Sequence, residues 1–306
     1  MSGTAPSLPP LDIARAPGGG EVGSLQSGWR LALREFSRNR LAVVGVATLL
    51  FFVLFCFVGP LIYRVNLLNT NLSIASSPPS ASHLLGTDNE GIDVLGELMK
   101  GGQAALEIGF FSAIMAIVIG SLYGAISGLV GGIADSVLMR VVDVLLSIPF
   151  LFVVLIVAVR YGASVLSLSL ILGAFPWLVP ARLVRGEVLT LKVRDFVAAA
   201  RIAGSGRWRL INRHLLPNAF SVIIVNVTFN VADAILAVAY LGFLGFGLHY
   251  PNYDWGDLLS NGTDYLQDGY WWLIYPAGIC IVLTVMACNL IGDALRDALD
   301  VRVRRR

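Results

Sequence analysis

Charge is what this sequence has least of. Asp, Glu, Lys and Arg make up 14% of its 306 residues, against 56% that are hydrophobic, where a soluble domain carries about a quarter charged. The mean hydropathy is +0.76. These values exclude an ordinary soluble fold and mark an integral membrane protein. The net charge of +2 is too small for nucleic-acid binding through bulk charge. Cysteine is scarce: Cys56, Cys280 and Cys288 all lie in apolar runs and none forms a CxxC pair. That excludes a disulfide framework and a thiolate metal site, and leaves them as small hydrophobes in helices. His83, His214 and His249 are far apart and, by the topology below, lie on opposite sides of the membrane. They cannot all join one metal cluster or one Ser/His/Asp set. No GxxxxGK[ST] phosphate loop occurs, so the chain does not bind ATP in the Walker manner by itself. No catalytic, cofactor-binding or metal-ligating residue is expected in it.

What is abundant is apolar sequence in long runs. Residues 1–28, rich in Pro, Gly, Ser and Ala, read as a disordered tail. No short apolar core precedes Trp29, which argues against a cleaved signal peptide. Over 29–40, Trp29, Leu33 and Phe36 share one helical face and Arg30, Arg34 and Arg38 another. That pattern suits a short helix lying in the inner-leaflet interface, with a solvated lead-in to the first span as the alternative. Six apolar runs follow, at about 41–63, 104–130, 137–159, 165–179, 220–248 and 271–291, most of them near the roughly 20 residues that cross a bilayer. The fourth is brief and holds Pro176, with Pro180 at its end, so it is expected to bend or stop early. The second carries Gly120, Gly124, Gly128 and Gly132, a face on which another helix can approach closely, although the last falls near the turn. The fold class is therefore all-α with six transmembrane helices. With the N-terminus in the cytoplasm, only Arg64, Lys100 and Arg160 of the 22 Lys and Arg residues fall outside, which puts both termini on the cytoplasmic side.

Between the fourth and fifth runs lies a polar island, 182–218. It holds Arg182, Arg185, Lys192, Arg194, Arg201, Arg207, Arg209 and Arg213 against Glu187 and Asp195. Asp195 to Ala203 reads as a short helix with Asp195 as N-cap. Gly204, Ser205 and Gly206 stop it, a second helix starts at Arg207, and Pro217 sets the start of the fifth span. Two short helices about a glycine turn suit insertion into a groove on a soluble partner. A basic loop resting on anionic lipid accounts for the charge but not for that order.

These residues carry a resemblance. Ala199, Ala200, Arg201, Gly204 and the run His214 to Asn218 through Pro217 resemble the EAA signature of binding-protein-dependent ABC importer permeases, in its oligopeptide and dipeptide version. HLLGTD at 83–88, DVL at 93–95, LMRVVDVLLSIP at 138–149, ARLVRGEVL at 181–189, WGDLLSNG at 255–262 and NLIGDALRDALD at 289–300 extend it from about Trp29 onward. The resemblance implies the type I permease fold, with an elbow helix over 29–40, a cytoplasmic coupling helix in 182–218 and a basic tail over 301–306. It implies ATPase coupling through Asp195, Ala199, Ala200, Arg201, Gly204, His214 and Pro217. It also implies a second permease, two ATPase subunits that hold ATP and Mg, an extracytoplasmic solute-binding protein, and peptide import by alternating access in the inner membrane. Nickel chelates, oligosaccharides and other solutes belong to the same importer class.

Three positions depart from the pattern. The signature glutamate is Ala198, which leaves half a capping box if Asp195 is the N-cap. The outer-loop Gly-Arg-Asp is Gly91, Ile92 and Asp93, which loses a positive charge facing the binding protein or pore mouth. In the fifth span Val238 and Gly242 stand where relatives carry Glu and Ser. That span has a polar stripe of its own: Asn226, Asn230, Asp233 and Tyr240, at offsets of 0, 4, 7 and 14, share one helical face. An acid facing lipid at mid-bilayer costs roughly 2.5 to 3.5 kcal/mol, so the stripe is expected to line a translocation path, with a structural bond to the partner permease as the alternative. Arg140 and Asp143 are expected to pair at i, i+3, Glu107 to snorkel, and Trp271, Trp272 and Tyr275 to form an interfacial belt. An ion-driven secondary transporter would show inverted repeats and paired intramembrane charges. Here there is one mid-span acid and no obvious duplication.

Overall fold

A computed structural model describes residues 33–304, with side chains through 299. The tail over 1–28, the first residues of the 29–40 helix and the side chains of 301–306 lie outside the described residues. Among those described, regular structure is helical apart from an isolated Thr87–Asp93 bridge. Asn39 caps α1, Arg40–Phe57, by accepting from the Leu41 N–H at 3.0 Å. Asp93 caps α2, Val94–Val130, by accepting from the Gly96 N–H at 2.9 Å. At 37 residues, and a rise of 1.5 Å each, α2 is about 55 Å long. It exceeds the apolar layer of a bilayer, and its first turns, ahead of the apolar run at 104, stand beyond it.

Every other layer is arranged about α2. It packs against α5 (Val165–Gly173), α6 (Leu178–Leu191), α8 (Phe220–Phe243) and α1, while α10 (Tyr275–Arg304) packs on both α8 and α1. The glycine face is used in the α2–α6 contact. A Cβ on Gly120 would come within 2.6 Å of the Trp177 carbonyl oxygen, and one on Gly124 would strike the Ala181 carbonyl. Gly132 lies past the end of α2, as the first residue of the next helix, with open space around it. Ala181, Val184 and Val188 are fully or almost fully buried on the facing side of α6.

Among the described residues four helices are long and apolar enough to cross a membrane, and the count reaches six if each of two bent pairs is one span. The expected third span, 137–159, is not one straight helix. It divides into α3 (Gly132–Leu146) and α4 (Phe150–Tyr161), bent by 76°. Pro149 sits at the break, where its missing N–H and its ring prevent the helix from running on. The fourth also breaks, between α5 and α6, by 42° about Pro176. It does not end at 179: α6 runs on to Leu191, so the first ten residues of the 182–218 island are helix packed on α2. The fifth helix stops at Phe243 rather than 248. There the chain turns, bringing the Leu248 N–H to the Asp254 carboxylate at 2.8 Å. Asp254 also caps α9, Trp255–Thr263, by accepting from Asp257 N–H at 2.8 Å, and burial pushes its carboxyl up to about 6.

Two expected local contacts are replaced by long-range ones. Asp143 pairs with Arg182 of α6 and not with Arg140, because the close α2–α6 approach carries α6 alongside α3. Arg185 grips Asp135 of α3 with both arms, Nε to Oδ1 and Nη2 to Oδ2 at 2.6 Å each. Trp272 belongs to no interfacial belt. It is 6% exposed and its Nε1 donates to the Thr87 carbonyl at 3.3 Å, whereas Trp271 and Tyr275 remain exposed. The aromatic run folds inward because the loop before α2 closes over it.

Candidate functional site

The candidate site residues fall in two regions. The first is the basic end of the bundle. α7, Asp195–Ile202, begins with Arg194 as N-cap and makes no side-chain cap bond. Asp195 is therefore the first helical residue and not the N-cap. Ala198 stands at the fourth helical position, outside the capping-box register, because the Arg194 carbonyl accepts from both Val197 and Ala198. α7 stops in a Schellman motif: Ser205 N–H donates to the Ala200 carbonyl and Gly204 N–H to the Arg201 carbonyl, both at 3.0 Å. The motif needs a left-handed residue, and Gly204 supplies it with φ of +80°.

α7 is anchored by Val197, its one buried residue, which is fully enclosed. Val197 enters a cluster made by Ala125 of α2, Val184 and Val188 of α6, and Leu210, Ile211 and Leu215 from the chain that follows. That chain forms a helical turn over Arg207–Leu210 and a π turn over Ile211–Leu215. Around this anchor Asp195, Ala199, Arg201 and Pro217 are exposed, and Ala200 and His214 half-buried. The His214 carbonyl accepts from the Asn218 amide at 2.6 Å. Sequence reasoning missed Val197 and the exposed apolar side chains Phe196, Ile202 and Trp208. The available signal was large apolar residues in a segment otherwise basic. Lys192 completes the region by donating to the Gly128 carbonyl at 2.9 Å, at the end of α2.

The second region is a groove of about 510 Å³ beside α8, lined by Asp233, Leu236 and Tyr240 together with Pro149 and Pro176. Both helix breaks face it, because each proline interrupts its helix where α8 passes. The polar stripe is thus divided. Asp233 and Tyr240 share this groove, whereas Asn226 lines a separate cavity of about 430 Å³ with Arg296. Asn230 is 9% exposed, and its amide donates to the Asn226 carbonyl at 2.8 Å. Asn226 in turn donates to the Val222 carbonyl at 2.8 Å. A common helical face did not become a common lining, since α10 and α6 cover its Asn226 end differently. Among the described residues no group of three or more His, Cys, Asp or Glu could hold a metal ion.

The chain is thus a helical bundle of membrane-spanning character, with a groove at its two helix breaks and a basic helix stopped by glycine at one end. The family model for the binding-protein-dependent transport system inner membrane component matches residues 110–305, and that for the N-terminal transmembrane domain of oligopeptide transport permease C matches 27–79. The chain belongs to this family, and it is a multi-pass inner-membrane permease subunit of an ABC transport system. It is 38% identical over 278 residues to the oligopeptide transport system permease protein OppC of Haemophilus influenzae, covering 90% of this chain and 89% of that one. It is 36% identical over 274 residues to the dipeptide transport system permease protein DppC of Bacillus subtilis, covering 90% and 86%. To OppC of Mycobacterium tuberculosis it is 38% identical over 272 residues, covering 88% and 93%.

Proposed function

We propose that this chain is one of two permeases in a heterodimeric peptide importer, with six spans and both termini in the cytoplasm. α7 and the turn after it form the coupling element that enters a groove on an ATPase subunit. Two such subunits hold ATP and Mg, and a solute-binding protein delivers peptide from the other side. Nucleotide closure moves α7, and Val197 transmits that movement into α2 and α6. The spans then rock to open the groove at Asp233 and Tyr240 towards the binding protein, and hydrolysis resets them. The observation that carries this reading is the Val197 cluster, which joins the exposed surface of α7 to the two helices that meet across the glycine face of α2. The names of the relatives support peptide as the solute, and the placing of Lys and Arg supports the orientation.

Purification from the native membrane tests the assembly, and uptake in energy-depleted cells tests the drive. The expected result is co-purification of a second permease and two ATPases, with uptake that stops when ATP is exhausted. Uptake that continues without ATP and a chain that purifies without ATPases would overturn it. Identification of the ligand carried by the binding protein tests the solute.

A further inference from the structure

α3 is held to the bundle differently from the helices beside it. Of its 15 residues the buried ones are Asp135 and Val142, whereas Ile133, Val137, Val141 and Val144 are exposed. α6, by contrast, buries Leu178, Ala181, Val184 and Val188. With so little apolar area covered, hydrophobic burial does little to fix α3 against its neighbours. The helix is also jointed at both ends. Gly131 and Gly132, with φ of +70° and +59°, turn the chain from α2 into it, and the 76° bend at Pro149 separates it from α4. A segment between two joints takes its position from whatever grips it.

The grip is polar. Asp135 accepts from Nε and Nη2 of Arg185 on α6, at 2.6 Å each, and from the Ser127 hydroxyl of α2. One turn earlier on α6, Arg182 pairs with Asp143 near the other end of α3. Between the two acids, Tyr123 of α2 donates its hydroxyl to the Leu138 carbonyl at 2.9 Å. Forked charge-assisted bonds fix orientation as well as distance. The Asp135–Arg185 pair is the more enclosed of the two, at 11% and 31% side-chain exposure, so loss of either partner strands a poorly solvated charge.

This grip lies between the two functional regions. Arg185 follows Val184, which with Val188 encloses Val197 of α7. At the far end of α3, Leu145, Leu146 and Ile148 line the groove that holds Asp233. A displacement of α6 therefore reaches the groove wall through two Arg–Asp pairs.

We propose that Arg182, Arg185, Asp135 and Asp143 are positioning residues of translocation, which make α3 travel with α6 as one body and so set the width of the groove as α7 is displaced. The proposal rests on the coupling reading of α7. If α3 instead followed α2, to which the chain joins it, cutting its bonds to α6 would leave its position unchanged.

The test is the α3–α6 spacing in the purified intact complex, read by electron–electron resonance between spin labels on Val141→Cys and Thr190→Cys, without nucleotide and with ATP plus vanadate. An unsubstituted sample controls for the three native cysteines, all of which are buried. One narrow spacing, the same in both states, is expected for the wild-type pairs. Arg182→Asp, Asp143→Arg and Arg185→Leu should each broaden it and lower the peptide taken up per ATP hydrolysed at least threefold in proteoliposomes. The double swap Arg182→Asp with Asp143→Arg should return both readings to within twofold of wild type, a recovery that simple destabilisation does not give. Gel filtration checks assembly, and should Arg185→Leu fail to assemble, the exposed Arg182–Asp143 pair carries the test by itself. The proposal is overturned by single variants that keep the wild-type spacing, by a wild-type spacing that changes between the two states, by a double swap no better than the single changes, or by altered spacing with unchanged uptake per ATP. The spacing measurement needs no transport, so wild-type uptake that does not follow ATP would count against the transport reading alone.

Discussion

Gly204 and Gly206 stand two residues apart in the same exposed turn, yet alanine at the two positions should have opposite effects. Neither has any atom within 4 Å of where a Cβ would sit, so steric clash with neighbours plays no part in the comparison. The difference is backbone conformation. Gly204 has φ of +80°, where an L side chain costs about 1 to 2 kcal/mol. Gly206 has φ of −68° and ψ of 161°, ordinary extended backbone, where alanine restricts the unfolded chain and stabilises by about 0.4 to 1 kcal/mol. Gly204→Ala therefore weakens the Schellman stop and with it the two bonds that close α7. A loss of 1.4 kcal/mol is tenfold in an equilibrium. Amides of α7 that exchange by local opening should exchange roughly five- to thirtyfold faster in Gly204→Ala, and no faster in Gly206→Ala. Hydrogen exchange by mass spectrometry on the purified complex reads this directly, and the ratio of peptide taken up to ATP hydrolysed reads its consequence. Matching exchange in the two variants would refute the account of how α7 is terminated. Faster exchange without any loss of coupling would refute the role given to α7.

Val197→Ala removes two methyl groups from a fully enclosed site. It should destabilise the docking end by about 2 kcal/mol and lower the uptake obtained per ATP, while leaving solute capture by the binding protein unchanged. Gly124→Val drives a side chain into the Ala181 carbonyl and should cost about 1 to 3 kcal/mol through overpacking. Gly186→Ala, in open space on α6, should be neutral or stabilising by up to about 1 kcal/mol, and thermal melts in detergent distinguish the two. Asp233→Asn should lower uptake of cationic peptides relative to neutral ones, since one carboxylate of the Pro149–Pro176 groove is lost. An unchanged ratio in competition uptake would remove Asp233 from the path.

Much of this protein was legible without coordinates because its strongest signals are local. Apolar runs of membrane length, the placing of Lys and Arg, the glycine spacing of α2 and the proline at 176 all act within a few turns of chain, whereas the break at Pro149 went unread inside an apolar run. The family was legible for the same reason, since its motifs are contiguous. Capping was legible only to within one residue, and that shift was enough to move Asp195 off the N-cap and Ala198 out of the capping-box register.

Tertiary structure decided what depends on which helix lies next to which. A helical face counts residues by angle, but its surroundings are set by neighbours. Asn226 and Asp233 share an angle and open on different cavities. Asp143 had Arg140 at helical spacing and found Arg182 on α6 instead, because α2 and α6 meet across glycine. Trp272, read as an interfacial residue, is covered by a loop nearly two hundred residues earlier in the chain. The sequence by itself determined the helices, their membrane character and their family. Only the packing decided which polar groups share a cavity, because burial and pairing belong to pairs of elements and no single segment carries them.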